Sequence, residues 1–133
     1  MGQTLEMLLA APEKVKKVPK GKVEIKRLTK EYGKPFFVEF KAGTLEQLKV
    51  IAENAKVNGE YNEVEEMKWV IYELCTDPNF KDSRLREAYK VTRPVDVVEE
   101  ILLAGEIYTI YRNILKVSGM DKGQEGLVEE IKN

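Results

Sequence analysis

Gly21-Lys22-Val23-Glu24-Ile25-Lys26-Arg27-Leu28-Thr29-Lys30-Glu31-Tyr32-Gly33-Lys34-Pro35-Phe36-Phe37-Val38-Glu39-Phe40-Lys41 is the stretch that decides the fold. Val23 and Ile25 alternate with Lys22, Glu24 and Lys26, the two-residue period of a strand with one wet face. Phe36, Val38 and Phe40 alternate in the same way with Phe37, Glu39 and Lys41. Glu31 to Pro35 holds the turn formers Gly33 and Pro35 between the two runs, so the economical reading is a long β-hairpin. A hairpin alone is marginal in water, and the remaining chain offers only helices for its apolar face to rest on. The expected fold is therefore α+β, an N-terminal β-hairpin packed on a mainly α-helical domain.

Working outward, Gly43 closes the hairpin and Thr44 with Gln47 fits the reciprocal capping pattern of a helix beginning at Leu45. Its apolar positions Leu45, Leu48, Ile51, Ala52 and Ala55 recur at three and four, and Asn58-Gly59 ends it. Asn62 is placed to cap a second helix running to about Cys75, with Glu63, Glu65 and Glu66 at the positive end of its dipole. Val64, Met67, Ile71, Leu74 and Cys75 fall on one face of that helix. Trp69 lies nearly opposite at 100° per residue and calls for a second burial partner or an exposed role. Thr76-Asp77-Pro78-Asn79 reads as a turn, followed by a short helix starting near Asp82 or Ser83.

From Pro94 to about Val117 the apolar residues are dense enough for a buried spine. Gly105 sits inside it, so either one kinked helix or two helices satisfy the pattern. Before the hairpin, Thr4 to Ala11 fits a short helix with Leu5, Leu8 and Leu9 on one side, ended by Pro12. The domain is expected to cover residues 1–120, with 121–133 a mobile tail in which Leu127, Val128 and Ile131 form a small apolar patch.

Composition narrows the function. The 133 residues are 43% hydrophobic and 34% charged, too apolar for disorder, and the longest apolar run, Ile101 to Gly105, is far short of a membrane span. Glu6 spoils both a secretory and a myristoylation reading of the first residues, which places the protein in the cytoplasm. The single cysteine, Cys75, fits a reducing compartment and reads as a small core residue. Histidine is absent, which removes histidine-dependent nucleophilic mechanisms and the commonest metal ligand. No phosphate loop, dinucleotide motif, zinc set or calcium loop is present, so no cofactor is expected. Glu65-Glu66, Glu99-Glu100 and Glu129-Glu130 read as helix-dipole partners and solvated faces rather than catalytic pairs. The chain reads as a non-enzyme.

Residues 1–34 carry nine Lys and Arg against four Glu, a balance of +5, and the rest carries 13 basic against 19 acidic, a balance of −6. A basic ribbon between Lys14 and Lys34 is the basis of one alternative, a nucleic-acid-binding regulator, which the acidic remainder argues against. The feature that speaks most directly of binding is the aromatic excess on helices that already have a core face: Trp69, Tyr72 and Tyr108.

Several segments resemble one family. The Leu-rich segment Leu5 to Ala11, the basic run Val23-Glu24-Ile25-Lys26-Arg27-Leu28 and the aromatic run Phe36-Phe37-Val38-Glu39-Phe40 are similar to the XkdN-like tail assembly chaperones of phages and prophages with contractile tails. Leu74-Cys75-Thr76-Asp77-Pro78-Asn79-Phe80-Lys81-Asp82 resembles that family's post-helix turn, Leu103-Ala104-Gly105-Glu106-Ile107 its Leu-x-Gly-Glu-Ile signature, and Ser118-Gly119 its usual ending. The resemblance covers residues 1 to about 120. It implies a protein that binds the tape measure protein during tail morphogenesis in the host cytoplasm and is absent from the mature particle. It also implies a possible second partner, a frameshifted longer form of the chain itself. Trp69, Tyr72 and Tyr108, with Leu127, Val128 and Ile131, are the expected partner-binding residues. The alternative beside the regulator is a structural tail component retained in the particle.

Overall fold

A computed structural model describes residues 2–120. In chain order they form α1 (Gln3–Ala10), α2 (Pro12–Lys16), β1 (Lys20–Glu24), α3 (Lys26–Tyr32), β2 (Phe37–Lys41) and α4 (Leu45–Asn54). There follow β3 (Lys56–Val57), β4 (Glu60–Tyr61), α5 (Glu63–Leu74), β5 (Cys75–Asp77) and α6 (Ser83–Tyr89). A 3-10 turn (Pro94–Asp96), α7 (Val97–Ile101) and α8 (Ala104–Val117) complete them. The fold is α+β, as the alternating pattern of the two strands requires.

The two expected strands do pair antiparallel, with Gly21 opposite Phe40 and Val23 opposite Val38. Val38 and Phe40 face inward and are buried, while Phe37 and Glu39 face water. Helices α5 and α8 cover the inward face, so Ile71, Leu74, Ile110 and Ile114 join Val38 and Phe40 in one core. Each such fully buried aliphatic side chain contributes about 1.5–3 kcal/mol.

The connection between the strands departs from the expected turn, because it is the helix α3. Ile25, Leu28 and Tyr32 stand at helical spacing, with Ile25 and Leu28 buried in the core. Gly33 ends the helix in the left-handed region at φ 70°, and its N–H donates to the Thr29 carbonyl at 2.9 Å. Thr29 then ties the helix to both strands, accepting from the Phe36 N–H and donating to Glu24, each at 2.8 Å. A continuous basic ribbon over Lys14–Lys34 is therefore not formed.

Two further expectations need correction. Cys75–Asp77 is not the start of a turn but a third strand, which pairs with β2 and completes the sheet order β1-β2-β5. Asn58-Gly59 not only follows α4 but turns a two-residue hairpin, with φ of 54° and 81° at the two positions. Asn-Gly is the pair that accepts two positive φ values with least strain.

The capping signals hold. Thr44 and Gln47 exchange hydrogen bonds at 2.9 and 3.1 Å, Asn62 accepts from the Glu65 N–H at 3.0 Å, and Asp82 accepts from the Arg84 N–H at 2.9 Å. On α4, however, Leu45 is 86% exposed and only Ile51 is buried, because the first turn runs past the edge of the body. The spine after Pro94 is two helices. The break falls at Leu102-Leu103 rather than at Gly105, which lies in the first turn of α8. Among the described residues no helix is long and apolar enough to cross a membrane.

Candidate helix-docking groove

The break between α7 and α8 is held by groups distant in sequence. Arg27, on α3, donates from one terminal nitrogen to the Ile101 carbonyl at 2.9 Å, taking up an acceptor left free at the end of α7. The same guanidinium meets Glu106 at 2.8 and 3.0 Å, and Glu106 in turn accepts from the Leu103 N–H at 2.8 Å. This hydrogen bonding from Arg27 holds the Glu106 carboxyl below its ordinary range. With both helix ends satisfied, Leu102 turns inward and is buried, whereas Leu103 is left 57% exposed.

Leu103 forms one wall of a groove of about 410 Å³ between α5 and α8. Val64 and Met67 line it from α5, and Ala104 and Ile107 from α8, with Leu102 beneath. Val64 is 61% exposed and Met67 and Ile107 are half-buried, so this is apolar surface that the fold leaves wet. Val64 therefore departs from the buried face expected of α5, whose buried members are Lys68, Val70, Ile71 and Leu74.

The groove has a charged end. The Lys68 side chain is only 6% exposed, and its ammonium lies 2.8 Å from Asp96, 2.9 Å from Glu65 and 3.1 Å from Glu99. Arg93 closes the cluster, at 2.9 Å from Glu65 and 2.8 Å from Asp96. Burial alone would lower the Lys68 pKa, but the hydrogen bonds that its ammonium donates to Asp96, Glu65 and Glu99 outweigh it and raise it above the usual lysine range. Hydrogen bonding from Arg93, helped by Lys68 and opposed by partial burial, brings Asp96 down to about 2. For Glu65, burial pulls upward and the bonds from Lys68 and Arg93 prevail, so its pKa is lowered. The cluster ties the 3-10 turn and α7 to α5 at this end of the groove.

The described residues among those singled out from sequence do not gather at the groove. Tyr108 is 50% exposed, one turn on from Ala104, and Arg112 lies 5.9 Å from its ring centroid. Trp69 and Tyr72 do not line the groove. They are half-buried against the core, edge to face at 5.6 Å between ring centroids, and the Trp69 indole N–H is buried with no hydrogen-bond partner among the described residues. Leu127, Val128, Ile131 and the pair Glu129-Glu130 lie outside the described residues.

Glu65, Glu66 and Glu99 do occupy first helical turns, but each also has a distant partner. Glu66 accepts from Tyr61 at 2.6 Å and from Tyr111 at 3.2 Å, while Glu65 pairs with Arg93 at 2.9 Å and Glu99 with Lys68 at 3.1 Å. Sequence reading missed this role of Lys68. The available signal was its place between Val64 and Ile71 at helical spacing, a cation in the middle of an apolar stripe.

The comparisons with known proteins agree with this architecture. The model of the phage XkdN-like tail assembly chaperone protein family matches residues 5–132. Two proteins of Bacillus subtilis (strain 168) align over 93 residues each. One is YqbN, 33% identical over 67% of this chain and 62% of its own length; the other is the phage-like element PBSX protein XkdN, 30% identical over 67% and 63%. The matched region thus spans a little under two thirds of either relative. A crystal structure of the protein YqbN is similar with a TM-score of 0.61 and 26% identity, over 79% of this chain and 90% of that one. The family match runs through nearly the whole sequence and carries one assignment: the chain belongs to the phage XkdN-like tail assembly chaperone family.

Proposed function

We propose that this chaperone binds the tape measure protein during tail morphogenesis, in the host cytoplasm, and leaves before the particle is complete. The observation that carries the reading is the groove between α5 and α8, with Val64, Met67, Leu103 and Ile107 wet in the isolated chain. A tape measure protein is long and helical with apolar stretches, and an unassembled copy needs those stretches covered reversibly. An amphipathic helix laid in an apolar groove meets that need through side chains at positions i, i+3, i+4 and i+7. Tyr108 extends the same surface and serves as an aromatic anchor. The role is one of binding and release, with no chemical step.

Co-expression with the tape measure protein of the same phage or prophage tests the reading. That partner becomes soluble and co-purifies with the wild-type chain, and does so markedly less with Leu103→Glu. A tape measure protein that stays insoluble beside a correctly folded chain refutes the reading and favours a structural component retained in the tail.

A further inference from the structure

Strand β1 is an edge. The sheet order β1-β2-β5 leaves one side of it without a neighbour. On its other side the Pro19 carbonyl accepts from the Ala42 N–H and the Ile25 N–H donates to the Phe36 carbonyl, each at 2.8 Å. Between them Gly21 stands opposite Phe40 and Val23 opposite Val38. Bonded pairs alternate with unbonded ones in an antiparallel ladder, so Pro19, Gly21, Val23 and Ile25 direct their backbone groups to β2. The N–H and C=O groups of Lys20, Lys22 and Glu24 point the other way, and none has a backbone partner among the described residues.

The outer face of this edge is cationic. Lys20 stands directly opposite Lys41, a like-charged pair that weakens the ladder, and the Lys22 ammonium lies 4.5 Å from the Phe37 ring centroid. Among the described residues no carboxylate forms an ion pair with any of the three lysines. Lysine on an edge guards against indiscriminate pairing, and a strand carrying carboxylates is the kind it admits.

The inner face has room. A cavity of about 420 Å³ lies between β1 and the first turns of α8, with Val23 and Arg27 on one side and Leu103, Gly105 and Thr109 on the other. It is lined by neither α5 nor β2, so it opens on the flank of α8 that faces away from α5, beneath the open edge. Gly105 and Thr109 are exposed one helical turn apart, and nothing lies within 4 Å of where a Cβ at Gly105 would stand. A chain added beside β1 at the usual spacing of roughly 4.8 Å would put alternate side chains over this hollow.

We infer that β1 receives an extended segment of a partner protein as a fourth strand, and that this segment alternates apolar residues with Asp or Glu. Main-chain hydrogen bonds to Lys20, Lys22 and Glu24 supply the affinity. The apolar side chains enter the cavity over Gly105 and Thr109, and the carboxylates meet Lys20 and Lys22. This is a different face from the α5–α8 groove and takes a strand rather than a helix, so its test needs no tape measure protein.

Nuclear magnetic resonance of the isotope-labelled full chain supplies that test, with two end-blocked heptapeptides as probes, one alternating valine with glutamate and one alternating valine with lysine. At millimolar glutamate peptide, amide exchange at Lys20, Lys22 and Glu24 slows about tenfold or more, whereas Gly21 and Val23, already bonded to β2, keep their rates. The lysine peptide slows none of them. Lys22→Pro removes one outward N–H and leaves the β1–β2 ladder whole, because proline is tolerated where the N–H faces away from the sheet. It binds the glutamate peptide about tenfold more weakly than Lys22→Gln, which alters the charge alone. Circular dichroism checks that both are folded. If Lys22→Pro is not, Lys20→Glu combined with Lys22→Glu takes its place, losing the glutamate peptide and gaining the lysine one. A glutamate peptide without effect, equal protection by both peptides, or slowing at all five strand residues alike overturns the inference. Spectral changes confined to Val64, Met67 and Ile107 put the peptide in the α5–α8 groove and overturn it as well.

Discussion

Lys68 on α5 and Asp96 in the 3-10 turn before α7 meet at 2.8 Å, with the lysine side chain only 6% exposed. A buried ammonium among three carboxylates is a dependence rather than a surplus of stability. Its partners are less buried than it is, so most of the consequence of removing one group falls on the lysine position itself.

Lys68→Met removes the buried cation and leaves Arg93 alone to offset Glu65, Asp96 and Glu99 at the end of the groove. The variant is expected to unfold about 2 kcal/mol more easily at neutral pH, below the 3–5 kcal/mol typical of a fully buried pair because these carboxylates are partly hydrated. Urea denaturation monitored through Trp69 fluorescence measures it. A loss below about 0.5 kcal/mol means the cluster is decorative.

Acid gives a second view of the same cluster. Asp96 is held at about 2 by Arg93 first and Lys68 second, and an unfolded aspartate titrates near 3.9. Its stabilising contribution is therefore complete above about pH 4 and is lost as pH falls toward 2. Glu65 and Glu106, also lowered, add in the same direction. The raised Lys68 behaves oppositely, with a contribution that is full below the usual lysine pKa and lost only in strong alkali. Asp96→Asn is expected to lower the melting temperature at pH 7 and to flatten its fall between pH 4 and 2, as read by thermal denaturation across that window. Parallel curves for variant and wild type contradict this.

In the sheet, the Cβ of an alanine at position 21 would lie 2.7 Å from Phe40 Cε1 and 3.0 Å from Cζ. Phe40 is buried in the core, so Gly21→Ala forces a backbone or ring shift. The expected loss is about 2 kcal/mol, within the range for overpacking a tight core. Gly105→Ala, whose new methyl meets open space in a helix, is the matched control and gains up to about 1 kcal/mol. Denaturation midpoints of the two variants should therefore shift in opposite directions.

Local signals were legible wherever a side chain acts on its own backbone. Thr44 with Gln47, Asn62 and Asp82 all cap as their spacing dictates, and the alternation in Phe36–Phe40 correctly divides the buried from the wet face of β2. What stayed hidden depends on distant partners. The break at Leu102-Leu103 exists because Arg27 takes the Ile101 carbonyl, a contact across 74 positions. Cys75–Asp77 becomes a strand because β2 presents an open edge. The helix α3 was legible in the spacing Ile25, Leu28, Tyr32 followed by Gly33, but the strong alternation on either side drew those residues into a hairpin.

The candidate site was less legible than the fold, for one physical reason. Periodicity says which residues share a face and says nothing of whether the body supplies a neighbour for it. Val64 and Leu45 follow the buried pattern of their helices and are wet, whereas Trp69, which breaks the pattern, is half covered. Tyr108 is both off the core stripe and exposed, as its spacing suggests.

The central claim is that the groove between α5 and α8 covers apolar helices of the tape measure protein, and site-specific photo-crosslinking tests it most directly. A photo-reactive phenylalanine analogue at position 103, in chains co-expressed with the tape measure protein, is expected to crosslink to it, and the same analogue at position 45 is not. Leu45 is the control because it is even more exposed but lies on α4, away from the groove. Crosslinking from 45 and not from 103, or from neither while the two proteins co-purify, contradicts the account.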